Sequence, residues 1–516
     1  MPRGANLFVI QPISGGGSQH VQIMNRRTKQ YMLAAAMLGV GTAAAGEPEV
    51  QEGYIDTAYG RKPYVLSEVH AVPLRASMHP LEQHARRYRG VATHEQVLQR
   101  SRGGSLTLGG WEFLPAKPQH FMPYLDGLFV PGNTAIEPSW WVQNDMISHG
   151  AQQVKSMLSR YGLQYDLTLS MGYAGVVPPS TGGRNDFVST NNSLSGVWYL
   201  LKKRDNSQGL FLSFEADWGQ GVRFNERRAG VQNTIGSLSN PQASLRGGNG
   251  VYIPHLALGY SLAHGKWVGM VGTIDTSSYL DQNTYSGSWN GNLMNSAFTC
   301  NPCLPLPWAN FGFLTAWQPC ESFYALYATT GTGTGVNQNP FSNISSDAWV
   351  HVSEFGWITK DFLGMGPGVY RFQYTIAEHN GNTGSGAAIN IQQQLGKNSP
   401  LGWFARCGVM DTDAAAINNV QAAVTTGLVL QAPFRDRGWG SMANHDQLAL
   451  GFMWARAADS FAPRVNRNEY GIELSAVIQV TPTFFVQPDV QYIFNPAGQT
   501  DRSGEFVFQL QGVFKF

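Results

Sequence analysis

Hydrophobicity alternates with a period of two residues through most of the chain that follows Gly162. The last segment, residues 506–516, shows the pattern most clearly, because phenylalanine or another non-polar residue occupies every second position and the chain ends on Phe516. Polar residues such as Gln509 and Gln511 occupy most of the alternate positions. Such alternation is typical of a β-strand with one apolar face and one polar face. The pattern therefore predicts an all-β fold for this region, either a sandwich or a barrel.

Sixteen segments of this kind can be delimited. We predict strands at residues 164–176, 193–202, 209–219, 251–262, 266–276, 309–318, 322–330, 349–359, 368–377, 386–395, 401–409, 423–432, 445–456, 468–480, 483–494 and 503–516.

The links between these strands alternate in length. Links that follow odd-numbered strands are long, and most links that follow even-numbered strands are short, although 360–367 and 433–444 are longer. An antiparallel meander with its long loops at one end is typical of bacterial outer-membrane barrels. The Greek-key connections of a soluble sandwich show no such alternation. We therefore predict a 16-stranded antiparallel transmembrane β-barrel over residues 162–516.

Composition agrees with a barrel and excludes other classes. Only 13% of the 516 residues are charged and the net charge is +1, whereas about 25% are charged in soluble domains. A nucleic-acid-binding protein needs a basic excess that this chain lacks. Apart from the N-terminal region, the chain contains no apolar run of about 18 residues, so helical membrane spans are excluded.

The N-terminal region has the layout of a secretory signal peptide. A basic cluster at 26–29 precedes an apolar run at 31–40, and Ala43-Ala44-Ala45 offers the small residues of a cleavage site. We predict a signal peptide at residues 1–45 with cleavage after Ala45, and Met24 is an alternative start that would give a compact signal.

Two segments separate the signal peptide from the barrel. Residues 46–144 show little apolar periodicity, and we predict a poorly ordered periplasmic arm, with at most one short helix, followed by an irregular aromatic stretch. Residues 145–161 carry apolar residues at helical spacing and stop at Gly162. We predict a helix here that packs in or under the periplasmic mouth of the barrel and narrows the pore.

The cysteine spacing leaves more than one interpretation open. Cys300 and Cys303 form a C-x-x-C motif, while Cys320 and Cys407 stand alone. A local disulfide in a loop is the favoured interpretation for the motif, and a metal or redox site is the alternative. Because a second pair at zinc spacing is missing, we predict no metal site and no cofactor.

The alternation also separates lipid-facing from lumen-facing residues. In strand 368–377, Tyr370, Phe372 and Tyr374 are placed outward, so Arg371 faces inward. The same reasoning, applied to the other strands including 401–409, gives eight candidates for the pore lining, which are Arg371, Arg406, Glu215, Asp217, Glu473, Asp489, Gln487 and Gln491. Arginine would donate hydrogen bonds to sugar hydroxyls and carboxylates would accept them.

The C-terminal strands resemble a known family. Residues 468–474 read NEYGIEL, residues 480–482 read VTP and residues 487–496 read QPDVQYIFNP, and together they resemble the end of the carbohydrate-selective porins of the OprB type. The resemblance is strong over 445–516, extends by architecture over 145–445, and does not cover 46–105.

This resemblance implies an outer-membrane channel for diffusion of sugars, with a narrow waist that carries arginines and acidic groups. It implies as partners sugars, outer-membrane lipid and the barrel-assembly machinery, whose recognition signal the Phe516 terminus resembles. It leaves open whether the barrel is a monomer or a homotrimer.

Three other functions remain to be weighed. A general porin or a porin for other solutes would share the same architecture, as would a structural or adhesive barrel. An enzyme is disfavoured, because the chain shows no G-x-S-x-G elbow and His94-Glu95 lacks the second histidine of H-E-x-x-H.

Overall fold

The computed structural model describes residues 53–57, 60–64, 106–108, 111–113, 146–177, 185–203, 205, 207–221, 231–242, 250–287, 291–307, 309–332, 339, 341, 348–379, 381–397, 399–431, 446–459, 461, 467–496 and 504–516. The predicted signal peptide and its cleavage site lie outside these residues.

The chain divides into two units, Met1–Glu68 and Val69–Phe516. In the first unit, strands β1 (Gly53–Thr57) and β2 (Gly60–Tyr64) pair as an antiparallel hairpin. In the second unit, β3 (Leu106–Leu108) and β4 (Trp111–Phe113) form another. These four short strands lie in the region 46–144, for which the sequence predicted a poorly ordered arm and an irregular aromatic stretch and no strand. The helix expected within this arm falls outside the described residues.

Helix α1 (Met146–Ser159) precedes the barrel, in close agreement with the prediction of 145–161. The turn that follows it reaches Gly162, whose φ of 77° is a left-handed conformation that favours glycine. The Lys155 ammonium bonds the carboxylate of Asp166 at 2.7 Å, which ties the helix to the start of the first barrel strand. No helix within the described ranges is long and apolar enough to cross a membrane.

Sixteen strands follow. They are β5 (Leu163–Val177), β6 (Asp186–Lys203), β7 (Gln208–Gly221), β8 (Gly250–Leu262), β9 (Trp267–Ile274), β10 (Asn310–Cys320), β11 (Phe323–Gly331), β12 (Trp349–Thr359), β13 (Gly368–His379), β14 (Asn382–Gln394), β15 (Leu401–Met410), β16 (Val420–Gln431), β17 (Gln447–Ala457), β18 (Asn468–Gln479), β19 (Phe484–Phe494) and β20 (Gly504–Lys515). The links contain α2 (Val231–Ile235), a 3₁₀ turn (Thr276–Ser278), α3 (Ser296–Thr299) and α4 (Thr412–Asn418).

Each of these strands pairs antiparallel with its neighbours in sequence, and β20 pairs with β5 to close the barrel. The closing register places Phe508 beside Gly175 and Lys515 beside Thr168. The predicted 16-stranded closed antiparallel barrel is confirmed. The hairpin of β3 and β4 extends the sheet, because β4 pairs with the end of β6 over Leu201 to Lys203.

One link is shorter than predicted. Strands β13 and β14 pair through to His379 and Asn382, so two residues connect them instead of the expected 378–385. The connecting pair is Asn380-Gly381, a dipeptide that favours tight hairpin turns, and Gly381 has a φ of 78°. The small polar residues at 383–386 belong to the strand because their backbone pairs with β13.

The outer surface of the barrel is apolar. Phe372, Leu450, Leu474 and Leu510 are 46%, 50%, 50% and 53% exposed. Their neighbours along each strand point inward and are buried, so the burial pattern alternates with the predicted period. An apolar exterior around a polar and occupied interior is the arrangement that a membrane-spanning barrel requires.

The interior is not uniformly polar. The inner faces of β9 to β12 carry buried apolar residues, including Val268, Met270, Leu314, Leu326 and Val352. They pack in one cluster with apolar residues from the link between β9 and β10. One side of the barrel interior therefore contains a hydrophobic core like that of a soluble protein.

Candidate functional site

All eight predicted pore-lining residues lie at inward positions of the barrel wall. Seven of them are almost completely buried, namely Arg371, Arg406, Asp217, Glu473, Asp489, Gln487 and Gln491, with at most 2% exposure each. Glu215 alone among the eight is partly exposed. A barrel of sixteen strands has a wide lumen, so side chains that point into it would be exposed if the lumen were empty. Their burial means that other parts of the chain fill the space beside them.

The link between β9 and β10 occupies this space. We call it the inner segment (residues 275–307, described except for 288–290). Asp275 caps its 3₁₀ turn by accepting from the Ser277 amide at 3.0 Å, and Asn295 caps α3 by accepting from the Ala297 amide at 2.9 Å. These local caps fix the direction of the chain. The inner segment then runs across the inward faces of strands β12 to β19, to which it is bonded as follows.

Asp281 of the inner segment is the centre of the first contact. Its carboxylate lies 2.8 Å from Nε of Arg406 on β15. The same carboxylate accepts from the Asn390 side-chain amide at 2.7 Å and from the Gln373 side-chain amide at 3.2 Å. Both charged side chains are fully buried, at 0% exposure. Burial strengthens their attraction and makes an unpaired charge costly, so the pair fixes the inner segment to β13–β15.

Arg406 also binds the inner segment with its remaining nitrogens. Nη1 donates to the Ser286 hydroxyl at 2.6 Å and to the Phe298 carbonyl at 2.7 Å, and Nη2 donates to the Asp281 carbonyl at 3.1 Å. One guanidinium therefore holds three separate points of the segment, which its planar set of five donors permits.

A second contact surrounds Glu354 on β12. One carboxylate oxygen accepts from the Tyr324 hydroxyl at 2.7 Å, and the other accepts from the Asp281 backbone amide at 2.8 Å and from Gln373 at 2.8 Å. Arg371 donates from Nε to the Tyr324 hydroxyl at 2.9 Å and lies 3.9 Å from the Glu354 carboxylate. Arg371 does not bond the described residues of the inner segment directly. It contacts Tyr324 and Glu354, and Glu354 in turn accepts from the backbone amide of Asp281.

The far end of the inner segment is held by β18 and β19. The Glu473 carboxylate accepts from the backbone amides of Met294 and Asn295, the latter at 3.1 Å. The side-chain amide of Asn295 donates to Gln491 at 3.0 Å, and Gln487 donates to the Asn292 carbonyl at 3.0 Å. Three of the predicted residues therefore serve as acceptors or donors for one short stretch of backbone.

A second stretch of chain fills the same side of the lumen, residues 231–242 of the link between β7 and β8. Its Ser237 hydroxyl and Leu238 amide donate to the Glu469 carboxylate at 2.6 Å and 2.8 Å. Its Pro241 carbonyl accepts from Gln491 at 2.8 Å and from Gln509 at 2.9 Å. These bonds occupy the inward face of β18–β20.

The first three strands present a different surface. We call Asp166, Thr168, Ser193, Ser195 and Glu215 the open wall, because each faces inward and each is partly exposed. They form rows across the sheet. Asp166 is in register with Ser195 and Ser195 with Glu215, while Thr168 is in register with Ser193.

The open wall offers both acceptors and donors to the lumen. The Ser193 hydroxyl donates to the Glu215 carboxylate at 3.3 Å. The other partly exposed polar residues that face inward from the described strands, Gln392 among them, lie near the short-turn ends of their strands. The central part of the lumen therefore reaches water chiefly along β5 to β7.

Comparison with known protein families gives a match. The family model described as carbohydrate-selective porin, OprB family, matches residues 159–516. The chain belongs to this family. A high-pH structure of OprB from Pseudomonas putida is 18% identical, with 74% of this chain and 99% of that chain covered and a TM-score of 0.56, which shows a shared fold. A triple mutant of the Rhodopseudomonas blastica porin is 11% identical, with 69% and 100% covered and a TM-score of 0.44. No curated protein matches the chain.

Membership of the OprB family confirms the resemblance seen in the last strands. The chain is an outer-membrane β-barrel, and its family is one of sugar porins rather than enzymes. The structure shows no group of three or more metal-binding side chains in the part of the chain that it describes.

The expected disulfide in this OprB-family chain is not formed, because Cys300 and Cys303 are both free. The Cys303 thiol donates to the Asn301 side-chain carbonyl at 3.1 Å. Burial, together with the nearby Asp281 carboxylate, raises the pKa of Cys300 to about 11 and that of Cys303 to about 12. Both thiols are therefore protonated at neutral pH and pack as small apolar groups in the inner segment.

The sequence identified inward-facing residues correctly, but it did not identify several residues that interact with the chain inside the barrel. Asp281 sits in an irregular link with no periodic signal, so nothing in the sequence paired it with Arg406. Glu354 lies in a strand whose two faces both carry apolar residues, which obscured its inward orientation. Glu469 and Gln509 could have been predicted, because each lies at an inward position of the same alternating pattern that identified Glu473 and Gln491.

Proposed function

We propose that this OprB-family barrel mediates passive, saturable diffusion of sugars into the periplasm, and that the sugar contacts the open wall while it passes the inner segment. The observation that supports this most directly is the row of Asp166, Ser195 and Glu215. A sugar that enters a narrow lumen loses water, so side chains must replace its hydrogen bonds. Carboxylates accept from sugar hydroxyls and serine hydroxyls both donate and accept.

Arg371 and Arg406 take a different part in this proposal. Both were predicted as direct donors to sugar, yet their nitrogens bond the protein and their side chains are 0% exposed. We propose that they position the inner segment opposite the open wall and so set the width of the passage. Direct contact of either guanidinium with sugar would require the inner segment to move first.

The other partners follow from the same location. We propose that the barrel-assembly machinery reads the C-terminal strand, whose Phe516 backbone exchanges hydrogen bonds with Leu167 on β5 at 2.8 Å and 3.0 Å. Outer-membrane lipid surrounds the apolar exterior. A monomer and a homotrimer are both compatible with this proposal.

Sugar flux through purified protein in proteoliposomes tests the function. Swelling should proceed with monosaccharides, slow as the sugar becomes larger, and saturate with concentration. Equal swelling with amino acids of the same size would indicate a general porin. The heavily filled lumen makes a structural or adhesive barrel the second candidate, and that candidate predicts no swelling with any solute.

Glu215 tests the site within that function. Glu215→Ala removes a charged acceptor, a loss of about 1–3 kcal/mol, so half-saturation by sugar should shift about 5- to 150-fold upward. Glu215→Gln, which keeps a neutral acceptor, should shift it less. The matched control is Glu321→Gln, since Glu321 is an exposed carboxylate paired with Lys360 at a short turn. Unchanged half-saturation in Glu215→Ala would exclude the open wall as the sugar contact.

A further inference from the structure

Helix α1 has three distinct sides. One side contacts the barrel, where Ser148 and Ser159 are buried and Lys155 bonds Asp166. A second side is polar and carries His149, Gln153 and Arg160.

The third side of α1 is an apolar stripe that is exposed among the described residues. Within the helix, its large residues stand 7 and 10 positions after the first, which places them on one face of a helix of 3.6 residues per turn, and a fourth lies in the turn just after the helix. They are Ile147, Val154, Met157 and Tyr161, with 54%, 41%, 48% and 60% exposure. Exposed apolar residues on a single line mark an interaction surface rather than scattered surface residues.

The stripe is continuous with the lipid-facing surface of the barrel. Tyr161, at its C-terminal end, accepts through its carbonyl from the indole nitrogen of Trp198 at 3.1 Å. Trp198 points outward from β6 and is 38% exposed. It is in register with Leu163 and Leu212, which lie on the same outer face. Tryptophan is typical of the interface between hydrocarbon and headgroups.

The charge of α1 agrees with the same surface. Residues 146–161 contain no acidic side chain and two basic ones, Lys155 and Arg160. Lys155 is balanced by Asp166, while Arg160 is exposed next to the polar side. A helix with an apolar stripe and basic residues beside it is suited to lie in the plane of an anionic lipid surface.

We propose that α1 lies in the periplasmic leaflet of the outer membrane, against the barrel rim, with its apolar stripe embedded between phospholipids. The helix then anchors the rim to the membrane and does not cross the mouth of the pore, in contrast to the sequence-based expectation that it narrows the channel. This proposal depends on the membrane location of the barrel and not on the identity of the transported solute.

Spin labels on the full-length protein test the proposal in vesicles of phosphatidylethanolamine and phosphatidylglycerol. The background carries Cys320→Ser and Cys407→Ser, because these two thiols are exposed. Labels are placed by Val154→Cys and Met157→Cys on the stripe and by Gln153→Cys on the polar side. Leu474→Cys on the outer face of β18 is the lipid reference, and Lys397→Cys in a short turn is the aqueous reference.

We expect labels at Val154 and Met157 to collide with oxygen more than with a water-soluble nickel chelate, as at Leu474, and the label at Gln153 to show the reverse. Two results would overturn the proposal. Nickel accessibility at Met157 equal to that at Gln153 would place the stripe in water. Low accessibility to both reagents at Val154 and Met157 would mean that another part of the chain covers the stripe.

Discussion

Removing the guanidinium of Arg406 should release the inner segment from the barrel wall. Arg406→Met keeps an unbranched side chain as far as the position of Nε, removes the guanidinium and leaves the Asp281 carboxylate buried without its cation, at a site where both side chains are 0% exposed. Breaking a buried pair by removal of one partner costs about 3–5 kcal/mol. The same change removes the donors to Ser286 and Phe298, so the value belongs at the upper end of this range.

This free energy translates into a measurable change in the position of the inner segment. Each 1.4 kcal/mol is about tenfold in an equilibrium constant, so the preference for the inward position should fall by about two to three and a half powers of ten. Single-channel conductance in planar bilayers should rise, and protease should cut the inner segment faster. The barrel strands do not depend on this contact, so heat-modifiable migration of the folded barrel should persist.

Two further variants separate a specific pair from general damage. Arg406→Met combined with Asp281→Asn removes both charges, so its conductance should return part of the way to the parent value. Lys360→Met breaks an exposed pair, with 78% and 53% side-chain exposure, and such pairs contribute little. If Arg406→Met conducts and resists protease like the parent, or if the double variant is no closer to the parent than the single one, the pair does not hold the inner segment.

Three other predictions address neighbouring features. Because burial raises the pKa of Cys303 to about 12, its thiol is protonated well below that pH and should resist maleimide at pH 7.5, while the exposed Cys320 reacts; mass spectrometry of labelled peptides checks this, and fast labelling of Cys303 would show that the inner segment opens. Deletion of Phe516 should slow the appearance of the folded barrel in outer-membrane fractions, whereas assembly at the parent rate would argue against a role of the last residue in recognition. Arg371→Ala should leave Glu354 without its cation, so that sugar affinity falls and conductance rises together; a loss of affinity at constant conductance would instead identify direct sugar contact by Arg371.

The strand order, the closure of the barrel and the direction of most side chains could be predicted from the sequence. The hydrocarbon outside favours non-polar side chains, and the interior favours polar ones. Polarity therefore alternates from one residue to the next in strands such as β18 and β20. The links carried the second signal, since long loops at one end leave a pattern of lengths that survives errors of a few residues in each strand.

The division of the lumen could not be predicted in the same way. A polar residue that faces the lumen has the same periodicity whether it meets water or a folded segment of the chain, so Glu215 and Glu473 gave identical signals. Their difference arises from contacts distant in sequence, such as the Glu473 carboxylate with the Asn295 amide, 178 positions away.

The pairing of charges inside the barrel accounts for how a lumen with many ionisable groups can suit a neutral solute. Arg406 is matched by Asp281, and Arg371 lies beside Glu354, each within 4 Å. Opposite charges at such distances largely cancel at the distance of an ion in the passage, because their fields oppose and water and salt screen the remainder. Asp166 of the open wall is likewise paired with Lys155 of α1 at 2.7 Å. Under our proposal, a sugar hydroxyl would contact the hydrogen-bonding groups of the open wall directly, so these short-range contacts would persist although paired charges cancel at a distance. Under our proposal, we therefore expect weak discrimination between small cations and anions together with directional contacts to sugar.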